Sequence, residues 1–384
     1  MKVAVLGYGT VGAGVYSMLS DAPGMEAGPV LVRPGKAVES FMVSDAALIF
    51  GDPTVDAVVE TLGGLDPAYS YGMRALEAGK HFITANKVMV ASHGLELAAL
   101  AREKGAAFLF SAACGGGVPF LHNLALSAET DRIEAVSGIL NGTTNYMLDA
   151  MQRRGLSYGD ALREAQSLGY AESDPTADVS GLDALRKMQL ACAVAFGVLP
   201  QSGMLCEGME HFTAADVEDI QSRGLVCRLL ARGSRAGESV SAYVEPVLFP
   251  RAALESSVFT NNNMARYTGK RCGSIVLMGQ GAGRFPTASA VLRDLSAAQQ
   301  GARSMFPENC RAAEADNREA VHSYYIRTGG FAAVRLPLRS VLAQGEVVRA
   351  VTEPMSAEKM HALAQNIRKD GNDLFFAALE EELC

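Results

Sequence analysis

A chain of 384 residues exceeds one ordinary domain, so two or three are expected. Hydrophobic residues make up 49% and charged residues 20%, which excludes a largely disordered chain. The net charge of −8 comes with no basic run, which argues against a nucleic-acid partner.

No segment has the apolar length of a membrane span. Met188–Leu199 comes nearest, but it is short and broken by Gln189 and Gly197. The opening MKVAVLGYG lacks the apolar region of a signal peptide and reads straight into a strand. Cys114, Cys192, Cys206, Cys227, Cys272, Cys310 and Cys384 are odd in number and scattered, with no CxxC. That pattern opposes a zinc site or a disulfide framework and points to a reducing cytoplasm.

Lys2–Leu6 reads as an apolar strand, followed at once by Gly7-Tyr8-Gly9-Thr10-Val11-Gly12 and a helical pattern to Leu19. Strand, GxGxxG and helix stand in the order a dinucleotide site requires. The first glycine allows the tight turn, the second lets pyrophosphate approach the backbone, and the third lets the helix pack on its strand. The helix start then offers unpaired N–H groups to phosphate. The next strand, Val30–Val32, ends in Arg33, with Lys36 close by. An NAD site usually carries a carboxylate there, so two cations favour the 2′-phosphate of NADP. An ordinary basic loop residue is the alternative.

Asp56–Glu60 reads as a strand running into Thr61, Pro67–Gly79 as a helix, and His81–Thr84 as a strand ending near Lys87. Phe108–Phe110 is a further strand. This alternation is the doubly wound α/β pattern, whose ligands bind beyond the carboxyl ends of the strands, where Thr61 and Lys87 fall. Lys87 also fits a plain surface lysine, the commonest fate of its type.

The middle of the chain has strand candidates Ile133–Leu140 and Ser239–Leu248, a mixed α+β pattern. Between them, Gly169–Lys187 sets acidic residues around the Asp174–Pro175 turn and runs into a helix from Gly181. Asp183 and Lys187 stand four apart on one face, so a carboxylate can hold an ammonium in place. Glu172 precedes the turn and can bend back over the same point. Such a lysine suits a substrate that carries an amino group and exchanges a proton. Most pairs of this spacing, however, are solvated surface pairs.

Gly279–Gly283 is a glycine run that brings backbone close to a ligand, and a helix starts at Pro286. In the tail, Ser323–Arg327, Glu346–Thr352 and Leu374–Leu379 read as strands, and Ser356 caps a helix to Lys369. About sixty residues are short beside the smallest independently stable domains.

Taken in order, GYGTVGAGV, VVETLGG, ITANK, CGGGVP, GILNGTTNYML, GYAESDPTADVSGLDALRK and GQGAGRFPTASAV resemble homoserine dehydrogenase over residues 1–327. The GILNGTTNYML and GYAE–GLDALRK segments are specific to that family, whereas GxGxxG is not. The resemblance implies an α/β fold: a Rossmann nucleotide-binding domain (1–118 and 286–318) with an inserted α+β substrate and dimerisation domain (119–285). A short ACT-like C-terminal segment (319–384) would follow, and Ile275–Met278 would extend the middle sheet. It further implies interconversion of L-homoserine and L-aspartate 4-semialdehyde by hydride transfer with NADP or NAD, in threonine and methionine biosynthesis.

By the same resemblance, Glu172 and Asp183 hold the substrate, and Lys187 donates the proton. Lys87 matches a second catalytic lysine near the nicotinamide and the substrate, and spacing does not decide which of the two carries the proton. Cofactor contacts fall on Gly7, Gly9, Thr10, Val11 and Gly12, then on Arg33, Thr61, Lys87, Gly169 and Gly281. Ser111, Cys114, Gly116 and Val118 match a sodium-associated loop, although the family usually has Glu where Ser111 stands. A homodimer or homotetramer in the cytoplasm is implied, without nucleic-acid or membrane partners. A related dehydrogenase with another small carbonyl substrate, or a nucleotide sensor without catalysis, are the rival readings.

Overall fold

The apolar runs KVAVL, AVVE and HFIT form parallel strands buried on both faces, with Val3–Leu6 and Ala57–Val59 wholly inaccessible to solvent. The computed structural model describes residues 1–333 and 335–380. The chain divides into two compact units. One comprises Met1–Ile133, Gln189–Leu199 and Gly269–Ala312; the other comprises Glu134–Met188, Pro200–Thr268 and the chain from Ala313 onward.

The first unit is built on a six-stranded parallel sheet. Its strands lie in the order Met42–Val43, Glu26–Leu31, Lys2–Leu6, Ala57–Glu60, His81–Thr84, Phe108–Leu109. The order reverses between Lys2–Leu6 and Ala57–Glu60, and a crevice opens beyond the carboxyl ends of strands at such a switch point. Gly7 and Thr61 follow those two ends directly. Helices Thr10–Leu19, Ala68–Glu77, Lys87–Lys104 and Arg284–Gln299 belong to the same unit.

The second strand starts at Glu26, ahead of the Val30 read from sequence. Gly28 and Pro29 hid that start. Both fall where the register slips between Val3 and Val5, so proline's missing N–H costs no ladder bond there. The helix expected from Pro286 begins at Arg284, which leaves the proline in the first turn.

The second unit carries a mixed sheet. Its strands run Asn262–Gly269, Ile133–Ile139, Leu225–Ala236, Ser239–Pro250, Leu374–Leu379, Tyr324–Gly329, Val347–Thr352 and Leu338–Ala343. The two long central strands form a hairpin that pairs down to Ala236 and Ser239. Gly237 takes a positive φ of 61° in its two-residue turn, a conformation open to glycine. Helices Gly142–Arg154 and Tyr158–Ser167, and the part of Leu182–Phe196 up to Met188, complete the elements of this unit used below.

The tail folds as strand, one-turn helix Gly330–Ala333, two strands, helix Ala357–Lys369 and strand. Its four strands lie in the order fourth, first, third, second. The Ser356 side chain caps the long helix by accepting from Lys359 N at 3.3 Å. The last strand also pairs in parallel with Ser239–Pro250, joining Val247 to Ala378 and Leu248 to Leu379. A segment too short to bury its own core is stabilised by sharing a sheet, and Leu374–Ala378 are accordingly buried. Cys384 lies outside the described residues. The six described cysteines are free, and no described helix is long and apolar enough to cross a membrane.

Candidate active site

Lys187 sits one helical turn after Asp183 on the helix Leu182–Phe196, and both side chains are buried. The ammonium lies 2.7 Å from Asp183 Oδ2 and donates to the carbonyl of Leu140 at 2.6 Å. That carbonyl directly follows the strand Ile133–Ile139 and leads into Asn141, the N-cap of Gly142–Arg154. Asn141 works in two directions. Its carbonyl oxygen accepts from Thr144 N at 2.8 Å, and its amide donates to Asp183 Oδ2 at 2.9 Å and Asp178 Oδ1 at 2.7 Å.

Burial, and then the charge of Asp183, push the Asp178 carboxyl above the usual carboxylate range. Two carboxylates, one amide and one ammonium are thus drawn together inside one unit. A surface pair would show none of this enclosure. Glu172 is exposed on the loop before the turn, where its backbone carbonyl accepts from Gln166 at 3.1 Å. The bonded cluster around Lys187 does not include its carboxylate. Gly169, at φ +74°, ends the turn after Tyr158–Ser167 and is exposed.

In the other unit, Gly7 has a φ of +99° as the chain leaves its strand. A side chain on Gly12 would come within 2.1 Å of the Gly7 carbonyl, so this helix can sit on its strand only with glycine there. A Cβ on Gly9 would meet nothing, and that opening lies at the start of Thr10–Leu19. Thr10 is exposed and Val11 half-buried beside it. Thr61 donates from its hydroxyl to the carbonyls of Leu6 at 3.0 Å and Gly7 at 3.3 Å. The cradle therefore fits a dinucleotide pyrophosphate. Arg33 and Lys36 are exposed at the ends of the Arg33-Pro34-Gly35-Lys36 turn, closed by Lys36 N to Arg33 O at 3.0 Å.

Glu60 is wholly buried at the end of its strand. It accepts from Leu62 N at 2.6 Å, Gly63 N at 3.1 Å and the Thr84 hydroxyl at 2.6 Å. Thr84 in turn accepts from Asn86 N at 2.9 Å, and Asn86 caps Lys87–Lys104 by accepting from Met89 N. Asn86 also donates to Gly64 O at 2.6 Å. This chain of bonds ties the loop after Thr61 to the helix that begins with the half-buried Lys87. Burial raises the Glu60 carboxyl above its ordinary range, against the bonds it accepts.

A family model described as "Homoserine dehydrogenase" matches residues 119–296, and one described as "Homoserine dehydrogenase, NAD binding domain" matches residues 7–111. The homoserine dehydrogenase of Pseudomonas aeruginosa is 37% identical over 309 residues, spanning 77% of this chain and 71% of that protein. That of Corynebacterium glutamicum is 38% identical, spanning 76% and 70%. The crystal structure of a homoserine dehydrogenase from Thiobacillus denitrificans superposes with a TM-score of 0.88 at 30% identity, over 99% of this chain and 98% of that one. The chain belongs to the homoserine dehydrogenase family.

As a member of the homoserine dehydrogenase family it is an oxidoreductase whose nucleotide unit takes NAD or NADP. Its glycine loop after Phe110 packs closely. A Cβ on Gly116 would lie 2.5 Å from the Gly281 carbonyl, so the two glycine runs touch backbone to backbone. Ser111 donates to Asp294 from both its backbone N, at 2.8 Å, and its hydroxyl. Asp294 is buried, and that burial pushes its carboxyl up to about 7 despite the two bonds. Cys114 is buried in the same loop.

Sequence reasoning missed the Leu140 carbonyl, Asn141 and Asp178 around Lys187. Asn141 did leave a signal, as an asparagine directly before a helix. Glu60, Thr84 and Asn86 sit in the quoted segments VVETLGG and ITANK, but their bonding depends on two strands lying side by side. Asp294 left no signal, since its burial arises only from where its helix packs.

Proposed function

We propose that Lys187 is the general acid of the family reaction, protonating the aldehyde oxygen of L-aspartate 4-semialdehyde as L-homoserine forms. Bound NAD(P)H supplies the hydride. As the aldehyde carbon gains that hydride, the carbonyl π pair moves onto oxygen, and an ammonium stabilises and then protonates the alkoxide. The amine left behind regains its proton from solvent. In the oxidative direction the same amine takes the hydroxyl proton. Asp183 and the Leu140 carbonyl aim the ammonium, while Asp183, Asp178 and Glu172 offer carboxylates to the substrate's amino group.

The observation that carries this reading is the buried Lys187 ammonium, fixed between Asp183 Oδ2 and the Leu140 carbonyl. Lys87, at the start of a helix tied to the loop after Thr61, takes the place beside the nicotinamide. Gly7, Gly9, Thr10, Val11, Gly12 and Thr61 hold the dinucleotide, with Gly169 and Gly281 assigned to it by family pattern. Arg33 and Lys36, brought to the two ends of one turn, favour NADP over NAD.

A sodium ion on the carbonyls of Ser111, Cys114, Gly116 and Val118 stays a lesser part of the proposal. In the Ser111–Val118 loop, the carbonyl of Ser111 accepts from Cys114 N, that of Val118 from Phe120 N, and that of Gly117 from Arg293. Asp294, the buried carboxylate beside the loop, is turned to Ser111. No step is derived through an ion.

The order of strands and helices in the tail supports an ACT-like module fused to the middle sheet. A homodimer or homotetramer in a reducing cytoplasm completes the proposal, the free described cysteines supporting the reducing compartment alone. The test follows the absorbance of reduced cofactor with L-homoserine, using NAD and NADP in parallel, on the parent chain and on Lys187→Ala. Turnover is expected in the parent and a loss of about 10²–10⁴-fold in the variant. Near-normal turnover by Lys187→Ala would remove its assigned role.

A further inference from the structure

Away from the Lys187 cluster, one cavity gathers cations around a single carboxylate. It has a volume of about 280 Å³ and opens along the second half of the helix Gly142–Arg154. Asn141, which caps that helix, precedes Asp149 in the cavity wall by eight residues, or about 12 Å of helix. The cavity is therefore separate from the proposed active site.

Arg228, Arg153 and Arg251 line it. Arg228 is only 2% exposed, and three of its N–H groups meet the carbonyls of Cys227, Glu255 and Ser256 at 3.1–3.2 Å. Carbonyls fix the guanidinium in place without cancelling its charge. Arg153 lies over the Phe259 ring at 4.6 Å, and Arg251 is held at the rim by the Gln221 carbonyl at 3.2 Å. Asp149 is the opposing charge. Its Oδ2 accepts from Thr260 N at 3.1 Å and stands 3.8 Å from Arg153. Its Oδ1 is buried and has no hydrogen-bond partner.

An unpaired buried acceptor is unfavourable and calls for a donor. Three guanidiniums against one carboxylate call for a ligand of net negative charge. The volume suits a molecule of a few carbons rather than a nucleotide. We propose that this cavity binds a small acidic α-amino acid, its carboxylates on the arginines and its ammonium on the Asp149 carboxylate. The proposal stands apart from the assigned reaction, because it concerns binding alone.

Calorimetric titration of the full chain tests it, with L-aspartate, succinate, L-threonine and inorganic phosphate as probes. L-Aspartate should bind at least tenfold more tightly than the other three. The exposed Arg251→Ala change should weaken L-aspartate at least tenfold while the melting temperature without ligand holds. Asp149→Asn should erase the preference for L-aspartate over succinate. Lys187→Ala should bind L-aspartate as the parent does. Equal affinity for phosphate or succinate, no effect of Arg251→Ala, or loss of binding in Lys187→Ala would each overturn the proposal, the last by moving the ligand to the active site.

Discussion

Asn141 donates to Asp183 at 2.9 Å, on the same Oδ2 oxygen that holds the Lys187 ammonium at 2.7 Å. One carboxylate oxygen is thus fixed from two sides, and its direction sets the direction of the ammonium. The same amide bridges Asp178, so it also separates two carboxylates that would otherwise face each other. Asn141→Ala removes the bridge and the helix cap together. The cap alone is worth about 1 kcal/mol. Turnover with homoserine should fall about tenfold or more, equivalent to roughly 1.4 kcal/mol of lost positioning. The dissociation constant for the dinucleotide, read by fluorescence, should stay put. A matching drop in both would point to general unfolding instead.

Thr84 joins the ends of two neighbouring strands through Glu60 and passes the link to Asn86. Thr84→Val keeps the shape but leaves a buried carboxylate oxygen without its donor. Stability in urea should drop by about 1–3 kcal/mol. Thr84→Ser restores the hydroxyl and should recover most of that loss. Recovery by serine separates the hydrogen bond from any packing effect of the methyl group.

The Arg33–Lys36 turn predicts a split between cofactors. On the proposed NADP reading, Arg33→Ala removes one charge-assisted bond to a 2′-phosphate, worth roughly 1.5–3 kcal/mol. The Michaelis constant for NADP should therefore rise about tenfold or more, while that for NAD hardly moves. Arg33 is exposed, so the fold should tolerate the change. Equal rises for both cofactors would end the NADP assignment.

Much of the nucleotide unit was legible because its signals are local. An apolar strand, a GxGxxG turn and a helix follow one another within Lys2–Leu19, and the structure keeps those limits. The Ser356 cap was legible for the same reason. Lys187 and Asp183 were legible as a pair through their spacing, yet their burial was not. Enclosure comes from the Leu140 carbonyl and Asn141, far away in sequence. The strand Leu338–Ala343 escaped notice because none of its residues is buried and they show no alternation. Sharing of the middle sheet by Leu374–Leu379 was equally hidden, since apolar sequence marks a buried strand without naming its neighbours.

His322 gives the second unit a predictable acid sensitivity. Its Nε2 lies 2.8 Å from the Tyr243 hydroxyl, and the Arg232 guanidinium stands 3.2 Å away. Tyr324 stacks edge-on, and Glu245 is the nearby carboxylate that opposes the shift. Burial, and then the charge of Arg232, lower the imidazole from 6.5 to about 4. In the unfolded chain the ring takes its proton near 6.5, so between those values the unfolded state binds more protons. The contribution is whole above pH 6.5 and is lost as pH falls toward 4. By pH 5 about 2 kcal/mol should be gone. Chemical denaturation at pH 7 and pH 5 measures this directly. The parent should lose about 2 kcal/mol more than His322→Gln over that interval, because glutamine does not titrate. Parallel losses in the two proteins would show that the imidazole is already free to protonate in the folded state.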